Sequence, residues 1–191
     1  MKPGVERTIG RLLRSVHAGE RHLTCRDPRI ADAPASILLT SPAFADGSSI
    51  PTRHAGSGVG DNISPALAWA SIPEETAELV LIVQDPDAPL LRPVTHLIAM
   101  GLAPSNGSLP EGALAPRAGS SVAFGLGSFG RVGYAGPRPV RGHGLHRYVF
   151  QMFALDHPLS FPVTPTLAAV VSAMARTVLS RGMLTGTYER T

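Results

Sequence analysis

Four residues of this chain, Asp85, His96, His146 and Tyr148, combine acid–base chemistry with positions at the ends of segments patterned as buried strands. Strand ends hold side chains on rigid backbone and let them face a shared cleft. The apolar run from Leu79 to Val83 reads as a strand buried on both faces, and it stops at Asp85-Pro86-Asp87-Ala88-Pro89 with two carboxylates and two prolines. His96 lies at the start of the next strand pattern, Thr95 to Met100. His146 and Tyr148, two residues apart where the pattern Arg147 to Leu155 begins, point to the same face. Imidazole N–H and phenolic O–H groups are donors suited to a phosphate or carboxylate, and a nearby aspartate would fix a ring tautomer and favour the charged imidazole. Pro89, Pro139 and the glycines around them would form a stiff rim. Taken singly, the DPDxP segment reads equally well as a strand-ending turn and each histidine as a hydrogen-bonded core residue.

Other chemistries lose their support at particular residues. Gly125-Leu126-Gly127-Ser128-Phe129-Gly130 fits the GxGxxG string, but Gly133, Gly136, Pro137 and Pro139 follow where a dinucleotide site needs a helix. Lys2 is the only lysine, so a GxxxxGK phosphate loop is absent and kinase or NTPase readings fall with it. No GxSxG nucleophile elbow occurs. His143-Gly144-Leu145-His146 has HxxH spacing, but it sits in a Gly-rich loop without a third ligand, and no metal or cofactor is expected. The single Cys25 can form neither an internal disulfide nor a cysteine zinc site. A formal net charge of +3 is too small to imply nucleic acid.

The elements that must position these groups are β-rich. The 191 residues suit one domain, and Gly 20 and Pro 18 imply many turns and long ordered loops, above all between Ser41 and Ser64. A first core strand begins at Ile37. Ile9, Leu12, Leu13 and Val16 recur at helical spacing, giving a short N-terminal helix that ends near Gly19 and docks on its own domain or on a partner subunit. Residues 1–34 therefore read as a helical arm and linker, and 35–191 as the domain. A second helix is expected from Thr164, as N-cap before Pro165, to Gly182 as its stop. No apolar stretch approaches the ~20 residues of a membrane helix, and the expected location is cytoplasmic.

From Ser41 onward the chain resembles the phosphatidylethanolamine-binding protein family in its bacterial YbhB/YbcL branch, related to the raf kinase inhibitor proteins. The likeness rests on Phe44-Ala45-Asp46-Gly47 with Ile50-Pro51, Ser64-Pro65-Ala66-Leu67-Ala68-Trp69, and Asp85-Pro86-Asp87-Ala88-Pro89 with His96. It continues through Gly133-Tyr134-Ala135-Gly136-Pro137 and Gly142-His143-Gly144-Leu145-His146-Arg147-Tyr148 to Gly186-Thr187-Tyr188. The resemblance implies a large antiparallel sheet packed against a smaller one, with a C-terminal helix and an anion pocket at one end. Carried across, the ligand-binding residues are Asp85, Asp87, Pro89, His96, Pro139, His146 and Tyr148. Val140 and Leu97 depart from the family's pattern, where a second proline and a tryptophan are common. The implied function is binding of a small anionic group, on a phospholipid head or a phosphorylated partner, in a regulatory protein and a homodimer. Two alternatives stay open: a kinase or protease inhibitor acting through surface loops, and a hydrolase using His96 or His146 as base with Asp85 as orienter.

Overall fold

The computed structural model describes residues 3–191, so that Lys2 lies outside the described residues. Helix α1 (Pro3–Leu12) is followed by short 3₁₀ turns at Glu20–His22 and Thr24–Arg26. Strands β1 (Leu38–Thr40), β2 (Leu67–Ala70), β3 (Glu78–Asp85), β4 (Val94–Leu102), β5 (Gly107–Leu109) and β6 (Ala123–Phe124) come next. Strand β7 (His146–Leu155), helix α2 (Leu167–Met174) and strand β8 (Val178–Tyr188) complete the chain.

The strands form two antiparallel sheets, a large one in the order β6-β4-β3-β7-β8 and a small one in the order β1-β2-β5. Leu39, Leu67 and Trp69 of the small sheet share a core with Leu81, Val83, Leu97, Phe150 and Met152 of the large sheet. On its other face, Val80, Ile82, Ile98 and Phe153 meet Val170 and Met174 of α2 and Leu23, Cys25 and Ile30 of the N-terminal segment. Covering the large sheet on both faces buries every residue of β3, and the continuous apolar run Leu79–Val83 is the sequence of such a strand.

Three expectations change in detail. The helix expected to reach Gly182 is capped by Thr166, whose hydroxyl accepts the Ala169 N–H at 3.3 Å, and it ends at Met174. Arg176, in the left-handed region at φ 69, separates it from β8, which pairs with β7 from His146↔Tyr188 to Leu155↔Val178. The apolar period switches from 3.6 to 2 at that point, and Gly182 is not a helix stop but the place where β8 passes the backbone of Ile37.

Second, the N-terminal arm and linker pack against the rest of the chain. The Thr24 N–H and hydroxyl donate to Gln84 Oε1 at 2.8 and 3.0 Å, and the Cys25 N–H donates to Gln151 Oε1 at 2.8 Å, so two buried glutamines of the large sheet are satisfied by this segment. Arg181 reaches across the expected boundary at residue 34 to the carbonyls of Ala31, Ala33 and Pro34. Third, α1 docks not by its apolar stripe but by buried Gly10, which lies against the Arg141–His143 backbone, and by Glu6, which pairs with Arg190 at 2.8 Å. Leu12 of the stripe is 77% exposed.

A β-carbon at Gly182 would collide with the Ile37 carbonyl oxygen and sit 2.8 Å from the Ile37 Cβ. Gly182→Val is expected to lower stability by about 1–3 kcal/mol, as overpacking does, read as an earlier urea midpoint at unchanged slope. An unchanged midpoint would show that the chain at Ile37 moves aside freely.

Candidate functional site

The end of β3 and the beginnings of β4 and β7 surround a cavity of about 280 Å³. Asp85, Pro89, His96, Pro139, His146 and Tyr148 line it, so six of the seven expected residues come together. Asp87 is not in the lining.

Asp85 ends β3 with its side chain buried, and both carboxylate oxygens are engaged: Oδ1 accepts the Asp87 N–H at 2.8 Å and Oδ2 lies 2.8 Å from His146 Nδ1. His146 has its other nitrogen occupied too, because Nε2 lies 2.8 Å from Nδ1 of His143. It therefore contributes order to the cavity rather than a free donor.

Asp87 performs a different task from the expected ligand contact. Its carboxylate accepts the Arg147 backbone N–H at 2.9 Å and the Arg147 guanidinium at 2.8 and 2.7 Å. Burial alone would raise its pKa, but the Arg147 bonds outweigh burial and hold the carboxyl below its ordinary range. Arg147 also pairs with Glu20, so the turn after β3, the start of β7 and the N-terminal segment are pinned together.

His96 is placed by a β-bulge. Leu97 pairs with Val83 and Thr95 with Gln84, which leaves His96 as the extra residue of β4. Two neighbours thus serve one side of the sheet: Leu97 joins the intersheet core, and His96 meets the Tyr148 ring edge to face at 5.0 Å. His96 Nδ1 donates to the Ala135 carbonyl at 2.6 Å, and its Nε2 has no partner among the described residues. Burial pushes the His96 pKa down, against an opposing pull from Asp85, and so favours the neutral ring. Among the described residues the Tyr148 hydroxyl also lacks a hydrogen-bond partner, and burial, the largest influence, raises its pKa well above the ordinary value against an opposing pull from the Arg138 backbone.

The rim holds residues the sequence reading missed. Arg131 and Arg138 are also among the lining residues, and the Arg131 charge opposes protonation of His96, while Leu90 and Phe129 add apolar surface. Single arginines in a Gly- and Pro-rich loop follow no periodicity, so only proximity to the Gly133–Pro137 motif could have drawn notice to them. Val140, one departure from the family pattern, does line the cavity, whereas Leu97, the other, is buried in the core.

A two-sheet β domain with a cavity at the strand ends defines the class, and comparison with known proteins gives the family. The family model for phosphatidylethanolamine-binding protein matches residues 40–189. A Mycobacterium tuberculosis relative named as a lipoprotein, LppC, is 38% identical over 159 residues, covering 83% of this chain and 75% of its own. Among solved structures, CT736 from Chlamydia trachomatis, described as a homolog of these proteins, aligns with a TM-score of 0.73 at 35% identity, covering 82% of this chain and 99% of its own. YbcL from E. coli aligns with a TM-score of 0.74 at 28% identity, covering 82% and 100%. The chain belongs to the phosphatidylethanolamine-binding protein family, in its bacterial branch. No helix among the described residues is long and apolar enough to cross a membrane.

Asp87→Asn, which removes the charge facing Arg147, is expected to cost about 1.5–3 kcal/mol near neutral pH, the range of hydrogen bonds to charged groups. Because the folded carboxyl titrates below its ordinary value, its stabilisation is present above about pH 4 and fades as pH falls through the folded value. Denaturation of parent and variant across that range should therefore converge in acid; a constant gap would assign the loss to packing instead.

Proposed function

We propose that this protein binds a small ligand through an anionic phosphoryl or carboxylate group seated in the cavity, and that it does so without turning the ligand over. The observation that carries the reading is the pair of buried polar atoms without partners, His96 Nε2 and the Tyr148 hydroxyl, on adjoining residues of one cavity wall. Leaving such atoms unpaired costs about 1–3 kcal/mol each, a cost that a ligand can recover. The tyrosine hydroxyl donates to an anion. His96 does so once it takes up a proton, or accepts from a ligand that carries one; either way ligand and histidine share a proton. Arg131 and Arg138 add positive charge at the rim.

The cavity suits a headgroup rather than a whole lipid, and exposed Leu90, Leu91 and Phe129 offer apolar surface for what extends beyond it. Binding is favoured over hydrolysis by the state of the one serine in the lining. Ser128 Oγ accepts the Thr95 N–H at 2.9 Å, and among the described residues it has no hydrogen bond to a histidine that could activate it. A regulatory role, through a phosphorylated partner or a lipid head, is the biological form this binding would take.

Sulfate is a suitable probe because its charge is constant across the working range. Tyr148→Phe is expected to weaken sulfate binding about five- to tenfold while leaving the thermal midpoint equal or higher, since the lost hydroxyl had no partner. Affinity should rise only as pH falls below about 6.5, because burial holds the His96 pKa under that ordinary value, and His96→Gln should flatten that slope. Calorimetric titrations in which both variants match the parent at every pH would remove the cavity as an anion site.

A further inference from the structure

His143 lies outside the cavity lining, yet it is 1% exposed and fully hydrogen-bonded between the cavity and the N-terminal segment. Its Nε2 is 2.9 Å from the Leu13 carbonyl and 3.1 Å from the Val16 carbonyl, and its Nδ1 is 2.8 Å from His146 Nε2. His146 Nδ1 is in turn 2.8 Å from Asp85 Oδ2. A continuous line of hydrogen bonds thus runs from the carbonyls just beyond α1 to a carboxylate of the cavity.

The protons on that line can be counted. Carbonyl oxygens only accept, so His143 Nε2 carries a hydrogen. The contact between the two rings needs one hydrogen, and so does the contact between His146 and Asp85. Three links therefore hold three protons, and Asp85, His146 and His143 together bear no net charge wherever the last proton sits. Burial and the neighbouring His146 ring both favour neutral His143, whose Nδ1 then accepts from His146 Nε2, while the remaining proton lies between His146 Nδ1 and Asp85 Oδ2. If the carbonyls of Leu13 and Val16 withdraw, His143 loses its acceptors and its fixed tautomer. Nothing then holds Nδ1 toward His146 as an acceptor. His146 can release the shared proton, and Asp85 becomes an uncompensated negative charge in the cavity.

We propose that His143 is a positioning residue that ties the N-terminal arm to the cavity, so that docking of the arm keeps His146 cationic against Asp85 and the cavity receptive to anions. The arm is built to register this state. Ala18 and Gly19 donate backbone hydrogen bonds to the Ala88 and Pro86 carbonyls, at 3.0 and 2.8 Å, gripping the turn that carries Asp85. His17 stands edge-on to His143 at 5.3 Å and lies 3.7 Å from the Asp87 carboxylate. The family match begins at residue 40, so this control belongs to a segment outside the matched region. The consequence for affinity rests on the anion-binding reading given above; the proton arrangement does not.

Gly10 permits a test away from the cavity. A β-carbon there would collide with the Arg141 carbonyl and sit 2.8 Å from the His143 N, so Gly10→Val wedges α1 off its seat in the full chain. Nitrogen-15 spectra of the ligand-free parent should show both His146 ring nitrogens protonated. In Gly10→Val, with arm release checked by limited proteolysis, that signature should be lost and sulfate affinity should fall about fivefold, the weight of one net hydrogen bond. His143→Phe, which keeps the ring but removes both contacts, should do the same, and His143→Gln, which can accept from His146 and donate to the carbonyls, should restore both readouts. A released arm with an unchanged His146 spectrum would overturn the proposal, as would a His143→Phe protein indistinguishable from the parent. The His143 pair also decides the matter if Gly10→Val stays docked or fails to fold. A parent that binds no sulfate at all would defeat the anion-binding reading alone, because the spectra still report the coupling.

Discussion

The Asp85 carboxylate ends a strand that is buried on both faces, where water cannot solvate it. An ionised group in that position would cost several kcal/mol unless paired and hydrogen-bonded. Its two partners therefore organise the neighbourhood: the Asp87 N–H shapes the turn, and His146 fixes where β7 begins. The next residue of β7, Arg147, takes the Asp87 carboxylate, so two successive side chains tie one strand to the turn of another. The cavity is the space left above these contacts.

Burying β3 on both faces requires a third layer, and α2 alone does not supply it. The N-terminal segment completes the layer with Leu23, Cys25 and Ile30 and satisfies the two glutamines that face it. A segment recruited to finish a core thereby comes within reach of the cavity end of the sheet. Its backbone carbonyls meet His143, and Glu20 meets Arg147. Stability and control of the cavity are served by the same stretch of chain.

The cavity wall is where the fold tolerates unsatisfied groups. Most buried polar atoms of the large sheet have partners, including those of Gln84, Gln151 and Glu78, whereas His96 Nε2 and the Tyr148 hydroxyl do not. A bulge in β4 is what brings His96 to that wall. Local irregularity and unspent hydrogen-bonding capacity thus coincide at that wall.

The hydrophobic pattern determined β3, β4 and β7 almost to their ends, because a strand buried on both faces must be continuously apolar and stops where carboxylates and prolines begin. The order of the motifs likewise determined the family and six of the residues that line the cavity. What the sequence could not decide were choices made by distant partners. β8 and the end of α2 depend on pairing with β7, which overrides the helical propensity of the Ala- and Val-rich segment. Asp85 and Asp87 look alike in sequence, and only the position of Arg147 sends one to the cavity and the other to an ion pair. The HxxH spacing of His143 and His146 suits several chemistries, and it becomes a proton-holding pair only because Asp85 lies at one end and the arm's carbonyls at the other. Periodicity records which face of an element is buried; the partner of a polar group is a matter of tertiary contact, and it leaves no local trace.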